Sequence, residues 1–268
     1  MGKQIKLLSY YRGIGKEIRT LCFYKAFNRD IPEARIISFG SCNFNCPYCK
    51  RGGAFQYSDG SIIQSVDVAI NDIFNICDMA IDNHQIIRLS GGDPVVFPQT
   101  VLQIADYVKL KNGRLSIAHN GSSPEFITRI IPFLESAAID LKATPKMMTV
   151  VTNLPTKIAE NMYYSSLQCQ KILASSGILV EIRTPIFKFN TLDDLLFLAS
   201  DINQISDVGN VFWTLRIYKE ITTCNFNLPN KENILWMAKE IQKLFPMLKI
   251  GIRCNWDESN FIFLKDLI

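Results

Sequence analysis

Hydrophobic residues recur along this chain in short, nearly continuous runs separated by longer amphipathic segments. The runs Arg35–Gly40, Ile86–Ser90, Leu115–Ala118, Ala138–Lys142, Ile178–Thr184, Val211–Tyr218 and Leu248–Arg253 are rich in Ile, Leu, Val and Phe, the pattern of strands covered on both faces. Between them the periodicity predicts helices over Ser65–Ile81, Pro98–Leu110, Pro124–Leu134, Lys157–Ser175, Thr191–Ile202 and Lys231–Leu244. Helix-opening residues support several of these: Pro98 in a first turn, Ser123 ahead of Pro124, and Thr191 followed by Asp193 and Asp194. Alternation of strand and helix means parallel βα units. No internal repeat, low-complexity tract or Pro/Gly/Ser linker interrupts the rhythm.

The polar residues decide between a barrel and a doubly wound sheet. Cys42, Gly91, Asn120, Asp140, Arg183 and Arg216 fall at or just beyond the C-terminal ends of predicted strands. A barrel gathers those ends around one mouth, where its sites are built, whereas an open sheet would spread them along an edge. The expected fold is therefore α/β, a partial (β/α)6-type TIM barrel, open or nearly closed. Residues 1–34 form an N-terminal extension with no predicted place, 35–218 the barrel core, and 219–268 a βα extension packed on that core.

Composition narrows the chemistry. With 268 residues, 48% apolar and 20% charged, the chain is an ordinary globular one that buries a large core without disulfides. The balance of 29 Lys and Arg against 25 Asp and Glu gives +4, too weak to imply nucleic acid by itself. No apolar run approaches the roughly 18 residues of a membrane span, and the N-terminal segment lacks the apolar stretch of a signal peptide. A cytoplasmic protein is expected. Eight cysteines there point to metal or redox chemistry rather than disulfides.

Three of them cluster. Cys42, Cys46 and Cys49 form Cys-x3-Cys-x2-Cys in the segment SCNFNCPYCK, just after the first predicted strand. Three thiolates with no local fourth leave one iron of a [4Fe–4S] cluster open to an outside ligand, and an open position marks chemistry rather than structure. Zinc would need His84, His119 or a distant cysteine as a fourth ligand; a zinc-binding interaction module is the non-enzyme alternative. The spacing, with Tyr48 before the last cysteine, resembles the radical S-adenosylmethionine (radical SAM) superfamily. That resemblance implies that Cys42, Cys46 and Cys49 hold a [4Fe–4S] cluster and that S-adenosylmethionine is the second cofactor. It also implies reductive cleavage to a 5′-deoxyadenosyl radical, hydrogen abstraction from a substrate, and Tyr48 packed near the adenine.

Other segments fit the same resemblance. In LSGGDP, Gly91 and Gly92 permit close backbone approach, and Asp93 can receive an ammonium group; by itself the segment reads as a turn. Placed after the cysteine triplet, it resembles the superfamily's Gly-Gly-Glu-Pro motif, which contacts the cofactor's amino group, with Asp93 one methylene shorter than the usual acid. AHNG is similar to the Asp-Thr-Asn-Gly of glycyl-radical-enzyme activases, which implies that Asn120 meets the cofactor's ribose or methionyl part. Ala118 stands where those activases carry a cation-binding Asp, and His119 adjoins Asn120. IDLKA resembles their Asp-Leu-Lys segment; Asp140 and Lys142 alternate onto one strand face, as site residues or as a plain ion pair. In EIRTPIF the resemblance assigns Arg183 to the cofactor carboxylate, a geometry that arginine suits; the other reading is a strand-edge salt bridge with Glu181. Trp213 reads as core, and Arg216 and Tyr218 as substrate contacts. Cys77 and Cys169 read as core thiols within helices. Cys224, in ITTCNFN, is either an idle loop thiol or the hydrogen-atom donor of an epimerase.

The size, the Asp-Leu-Lys segment and the absence of a second cysteine cluster look most like the pyruvate formate-lyase activating enzyme group, although its Gly-Pro-Gly-x-Arg segment is missing. Alternatives within the superfamily are an epimerase or maturase acting on a peptide or small natural product, and a nucleoside- or tRNA-modifying enzyme. The partners implied are a protein, peptide or small-molecule substrate and an electron donor such as flavodoxin or ferredoxin, with no membrane.

Overall fold

The computed structural model describes residues 5–8, 18–49, 65–206, 209–217, 224–253 and 261–264. Its strands are β1 (Ile5–Leu8), β2 (Ala34–Phe39), β3 (Ser65–Val68), β4 (Ile86–Gly91), β5 (Arg114–His119), β6 (Ser136–Asp140), β7 (Leu179–Pro185), β8 (Asn210–Arg216), β9 (Ile250–Arg253) and β10 (Phe261–Phe263). Its α-helices are α1 (Ile70–Asp82), α2 (Pro98–Leu110), α3 (Pro124–Ile130), α4 (Pro145–Thr152), α5 (Thr156–Ser175), α6 (Leu192–Ser206) and α7 (Lys231–Leu244). The strands form one sheet in the order β10-β9-β8-β7-β6-β5-β4-β2-β1-β3. From β2 to β9 the neighbours run parallel, while β1, β3 and β10 add antiparallel margins. This is the α/β partial barrel that the alternation predicts, with β9 extending the parallel run beyond the core strands.

The two faces of the strands differ in chemistry. Ile37, Leu89, Ile117, Ile139, Ile182 and Trp213 are fully buried in the apolar layer shared with the helices. The alternate positions Ser38, Arg88, Ser116, Ser136, Glu181 and Thr214 are also buried but polar, because successive side chains point to opposite faces and these face the barrel interior. All of these but Ser38 bond across strands. Arg88 Nη1 donates to Ser116 Oγ (2.6 Å), Ser116 Oγ lies 2.7 Å from Ser136 Oγ, and Thr214 Oγ1 donates to Glu181 Oε1 (2.8 Å). Burial pulls the Arg88 guanidinium down to about 9.

Three features depart from the sequence expectations. Ser65–Val68 is a strand, not the first turn of a helix. Its alternating residues pair along their whole length with β1, and extended Ala69 (φ −76°, ψ 153°) delays the helix to Ile70. Helix α4 was not predicted. The N-terminal extension does have a place: β1 flanks β2, and a kinked 3-10 segment, Ile18–Phe27, packs beneath the barrel. Its Leu21, Cys22, Phe23 and Tyr24 cluster with Ala34, Ile86, Leu179 and Phe212, which lie at the N-terminal ends of their strands. Tyr24 Oη donates to Glu135 Oε1 (3.0 Å). That end of the barrel is stoppered, so the opposite end carries the opening. Among the described residues no helix is long and apolar enough to cross a membrane.

Candidate active site

A cavity at the C-terminal ends of the strands draws on Cys42, Gly91, Asn120, Asp140, Arg183 and Arg216 together, the six positions that the sequence pattern places at strand ends. A larger groove of about 780 Å³ lies at the stoppered end, between Ala26, Phe212, Met247 and Phe263. It holds no thiol or carboxylate among its described lining, so the chemistry belongs to the smaller cavity.

One wall is the loop after β2. Cys42 is exposed, Cys46 buried and Cys49 half-buried, and all three line the cavity. Cys49 N donates to Cys46 O (3.0 Å), closing a turn. Asn120 ties the loop to the end of β5: its Nδ2 donates to Asn43 Oδ1 (2.6 Å) and lies 3.8 Å from Cys42 Sγ, which also accepts the Phe44 N–H (3.4 Å). Asn43 Nδ2 donates in turn to Ser122 Oγ (2.8 Å). Among the described residues no three Cys, His, Asp or Glu side chains lie close enough to share a single metal ion. Three thiols lining one cavity suit a multi-iron cluster, in which each binds a different iron. Burial pushes the Cys46 thiol up to about 11, so a thiolate there would need a nearby positive charge.

The LSGGDP turn is built against that loop. Gly91 has φ +109°, a left-handed conformation, and a Cβ there would sit 2.2 Å from Phe39 N; at Gly92 it would sit 2.0 Å from Ser41 O. Gly91 thus makes room for the end of β2 and Gly92 for the backbone of the cysteine loop, and both also line the cavity. Gly92 N donates to Phe39 O (2.6 Å) and Asp93 N to Ser41 O (2.7 Å). The buried Asp93 carboxylate accepts Val95 N at Oδ1 (2.9 Å) and Asn120 N at Oδ2 (2.7 Å), and its Oδ1 lies 2.7 Å from His119 Nδ1.

The facing wall is cationic. Asp140 Oδ1 receives Arg183 Nε (2.9 Å) and Nη2 (2.7 Å), and Oδ2 receives Lys142 Nζ (2.7 Å). Burial alone would raise the Asp140 carboxyl, but Arg183 and Lys142 hold it well below the usual carboxylate range. Asp140, Lys142 and Arg183 are thus paired with one another and also line the cavity. Lys142 Nζ reaches Tyr48 Oη (3.3 Å). Buried Tyr48 packs on Phe187 (4.9 Å between centroids) and Phe226 (6.3 Å).

Other candidates are distributed unevenly. Ala118 and Arg216 line the cavity; Tyr218 falls outside the described residues. Cys224 is half-buried, is not among the described lining, and accepts the Phe226 N–H at Sγ (3.4 Å). Glu181 bonds Thr214 in the interior rather than Arg183. Trp213, Cys77 and Cys169 are buried in the apolar layer, and His84 is exposed at the end of α1. The sequence reading missed Asn43, Phe187 and Phe226; the position of Asn43 beside Cys42 was the one available signal.

The chain is 23% identical over 207 residues to the 7-carboxy-7-deazaguanine synthase of Methanocaldococcus jannaschii, covering 74% of this chain and 80% of that protein. A provisionally named glycyl-radical enzyme activating enzyme of the same organism is 31% identical over 118 residues, covering 42% of this chain and 45% of that one. Streptococcus suis SuiB bound to S-adenosylmethionine shares the fold with a TM-score of 0.62 at 11% identity, covering 87% of this chain; the chain spans about half (53%) of SuiB. Residues 36–202 match the family described as the Radical SAM superfamily, and that match holds both the thiol loop and the turn stitched to it. The chain belongs to this superfamily of enzymes, which work with a [4Fe–4S] cluster and S-adenosylmethionine.

Proposed function

We propose that Cys42, Cys46 and Cys49 hold the cluster, and that Asp93 receives the ammonium and Arg183 the carboxylate of S-adenosylmethionine. Asn120 secures the thiol loop, and Tyr48 forms the apolar floor beside Lys142. The observation that carries this reading is the pair of backbone bonds, Gly92 to Phe39 and Asp93 to Ser41, which fix the ammonium-accepting turn beside the thiols. When bound, the cofactor pair supplies one-electron cleavage of the C5′–S bond and a carbon radical that takes a hydrogen atom from substrate. The chain's own part is to bind and orient: the turn, the aromatic residues around Tyr48 and the cationic wall hold reactants in place and limit water at the mouth. The electron comes from a small reduced carrier such as flavodoxin or ferredoxin, in the cytoplasm, and residues 35–218 form the catalytic core.

After anaerobic reconstitution the protein should bind iron and sulfide and form 5′-deoxyadenosine under reduction, and Cys46→Ala should lose both properties. Formation of 5′-deoxyadenosine by Cys46→Ala at the wild-type rate would falsify the assignment.

Arg216 in the cavity lining, beside the net-positive cluster of Lys142, Arg183 and Asp140, favours a small acidic substrate, and the relative aligned over most of its length is named for a small-molecule product. A second reading, a glycyl-radical-enzyme activase, is favoured by the 31% identity to an activating enzyme and by the contact between Asp140 and Lys142. Deuterated substrates separate them: label should reach 5′-deoxyadenosine from a small carboxylate, and transfer solely from a glycine of a partner protein would establish the activase instead.

A further inference from the structure

Asp93 is not a free carboxylate on the cavity wall, and the side chain behind it is unusual. His119 ends β5 and is 1% exposed. Its ring meets Phe126 edge-on, 5.7 Å between centroids. Nδ1 lies 2.7 Å from Asp93 Oδ1, while Ser123 N lies 3.3 Å from Nε2. A backbone N–H can only donate, so Nε2 is the acceptor and carries no proton. The tautomer assigned from this network is neutral, with the proton on Nδ1 pointing at Asp93. A neutral partner leaves the full negative charge on Asp93.

The other Asp93 contacts complete a cradle. Val95 N–H donates to Oδ1 and Asn120 N–H to Oδ2. A carboxylate accepts about four hydrogen bonds; with Oδ1 filled by His119 and Val95, the acceptor site left is on Oδ2. We propose that His119 is a positioning residue, a neutral Nδ1–H donor that fixes the rotation of Asp93 so that Oδ2 faces the cofactor's ammonium. This rests on the assignment of Asp93 to that ammonium.

The test measures S-adenosylmethionine affinity by equilibrium dialysis on reconstituted protein, alongside iron content and melting temperature. His119→Phe keeps the ring and removes the donor; it should weaken affinity about tenfold or more, the loss of a hydrogen bond to a charged group, with iron content unchanged. His119→Asn places an amide N–H near the Nδ1 position and should stay within about threefold of wild type, since it restores the charge-assisted bond. A purely structural histidine would give equal losses in both variants or none in either, and either outcome overturns the proposal. Asp93→Ala is the control for the underlying assignment: unchanged affinity there removes Asp93 itself from the site, whereas lost affinity there with an unaffected His119→Phe removes only the positioning role. Should His119→Phe fail to fold, nitrogen-15 spectra of histidine-labelled wild type decide. The chain has two histidines, so a His84→Ala variant identifies the His119 signals. A neutral ring protonated at Nδ1 supports the proposal; an Nε2–H tautomer or an imidazolium overturns it.

Discussion

Asp140 has an arginine and a lysine on its two oxygens in a site where all three side chains are nearly buried, and that arrangement has a defined response to acid. Its carboxyl is held below the usual range, while in the unfolded chain it titrates near 3.9. Its contribution to stability is therefore fully present above about pH 4 and is lost as pH falls toward the depressed folded value. Asp140→Asn should cost about 3–5 kcal/mol at neutral pH, because it strands two buried cations. It should also flatten the acid limb: urea midpoints measured from neutral pH down to about pH 3 should fall less steeply for the variant than for wild type. Equal slopes would show that Asp140 titrates normally. The residue types here were legible, since Asp140, Lys142 and Arg183 stand at strand ends. The pairing of Asp140 with Lys142, two residues on along the same strand face, was legible as well; its pairing with Arg183 was not, because residues 43 positions apart leave no local signature. His119 illustrates the same limit: its partner lies 26 positions earlier, beyond any periodic pattern.

At the scale of elements, the turn after β4 and the loop after β2 behave as one piece. A methyl group at Gly92 would meet a backbone oxygen 2.0 Å away, which cannot swing aside as a flexible side chain can. Gly92→Ala should therefore push the turn off the thiol loop, lowering both iron retention and melting temperature, the latter by a ΔΔG of roughly 1–3 kcal/mol. Iron analysis and thermal melts on the same preparations check this; full iron retention would show the two segments to be independent. Strands β2 and β4 to β9 were readable because buried parallel strands are continuous apolar runs. The pair β1 and β3 was not. Each has four residues, their partners are far apart in sequence, and Ser65–Val68 runs almost directly into an amphipathic helix that captured it. Helix α4, eight residues long, is too short for a periodic pattern to stand out.

Across the whole molecule, most of the apolar core lies between the outer strand faces and the helices, a smaller apolar cluster under the N-terminal segment stoppers one end, and inner positions such as Arg88, Ser116, Glu181 and Thr214 are polar. Large-to-small changes in the outer layer are expected to cost about 2–5 kcal/mol each, whereas the mouth-facing side chains lie outside that layer. The division separates two kinds of selection. The outer layer is constrained by folding, but the mouth-facing side chains are constrained mainly by what they must hold. Outside the paired Asp140, Lys142 and Arg183, a lineage with this architecture can exchange one reactant for another by rewriting a few inward positions, drawing little on the margin of roughly 5–15 kcal/mol that keeps such a domain folded.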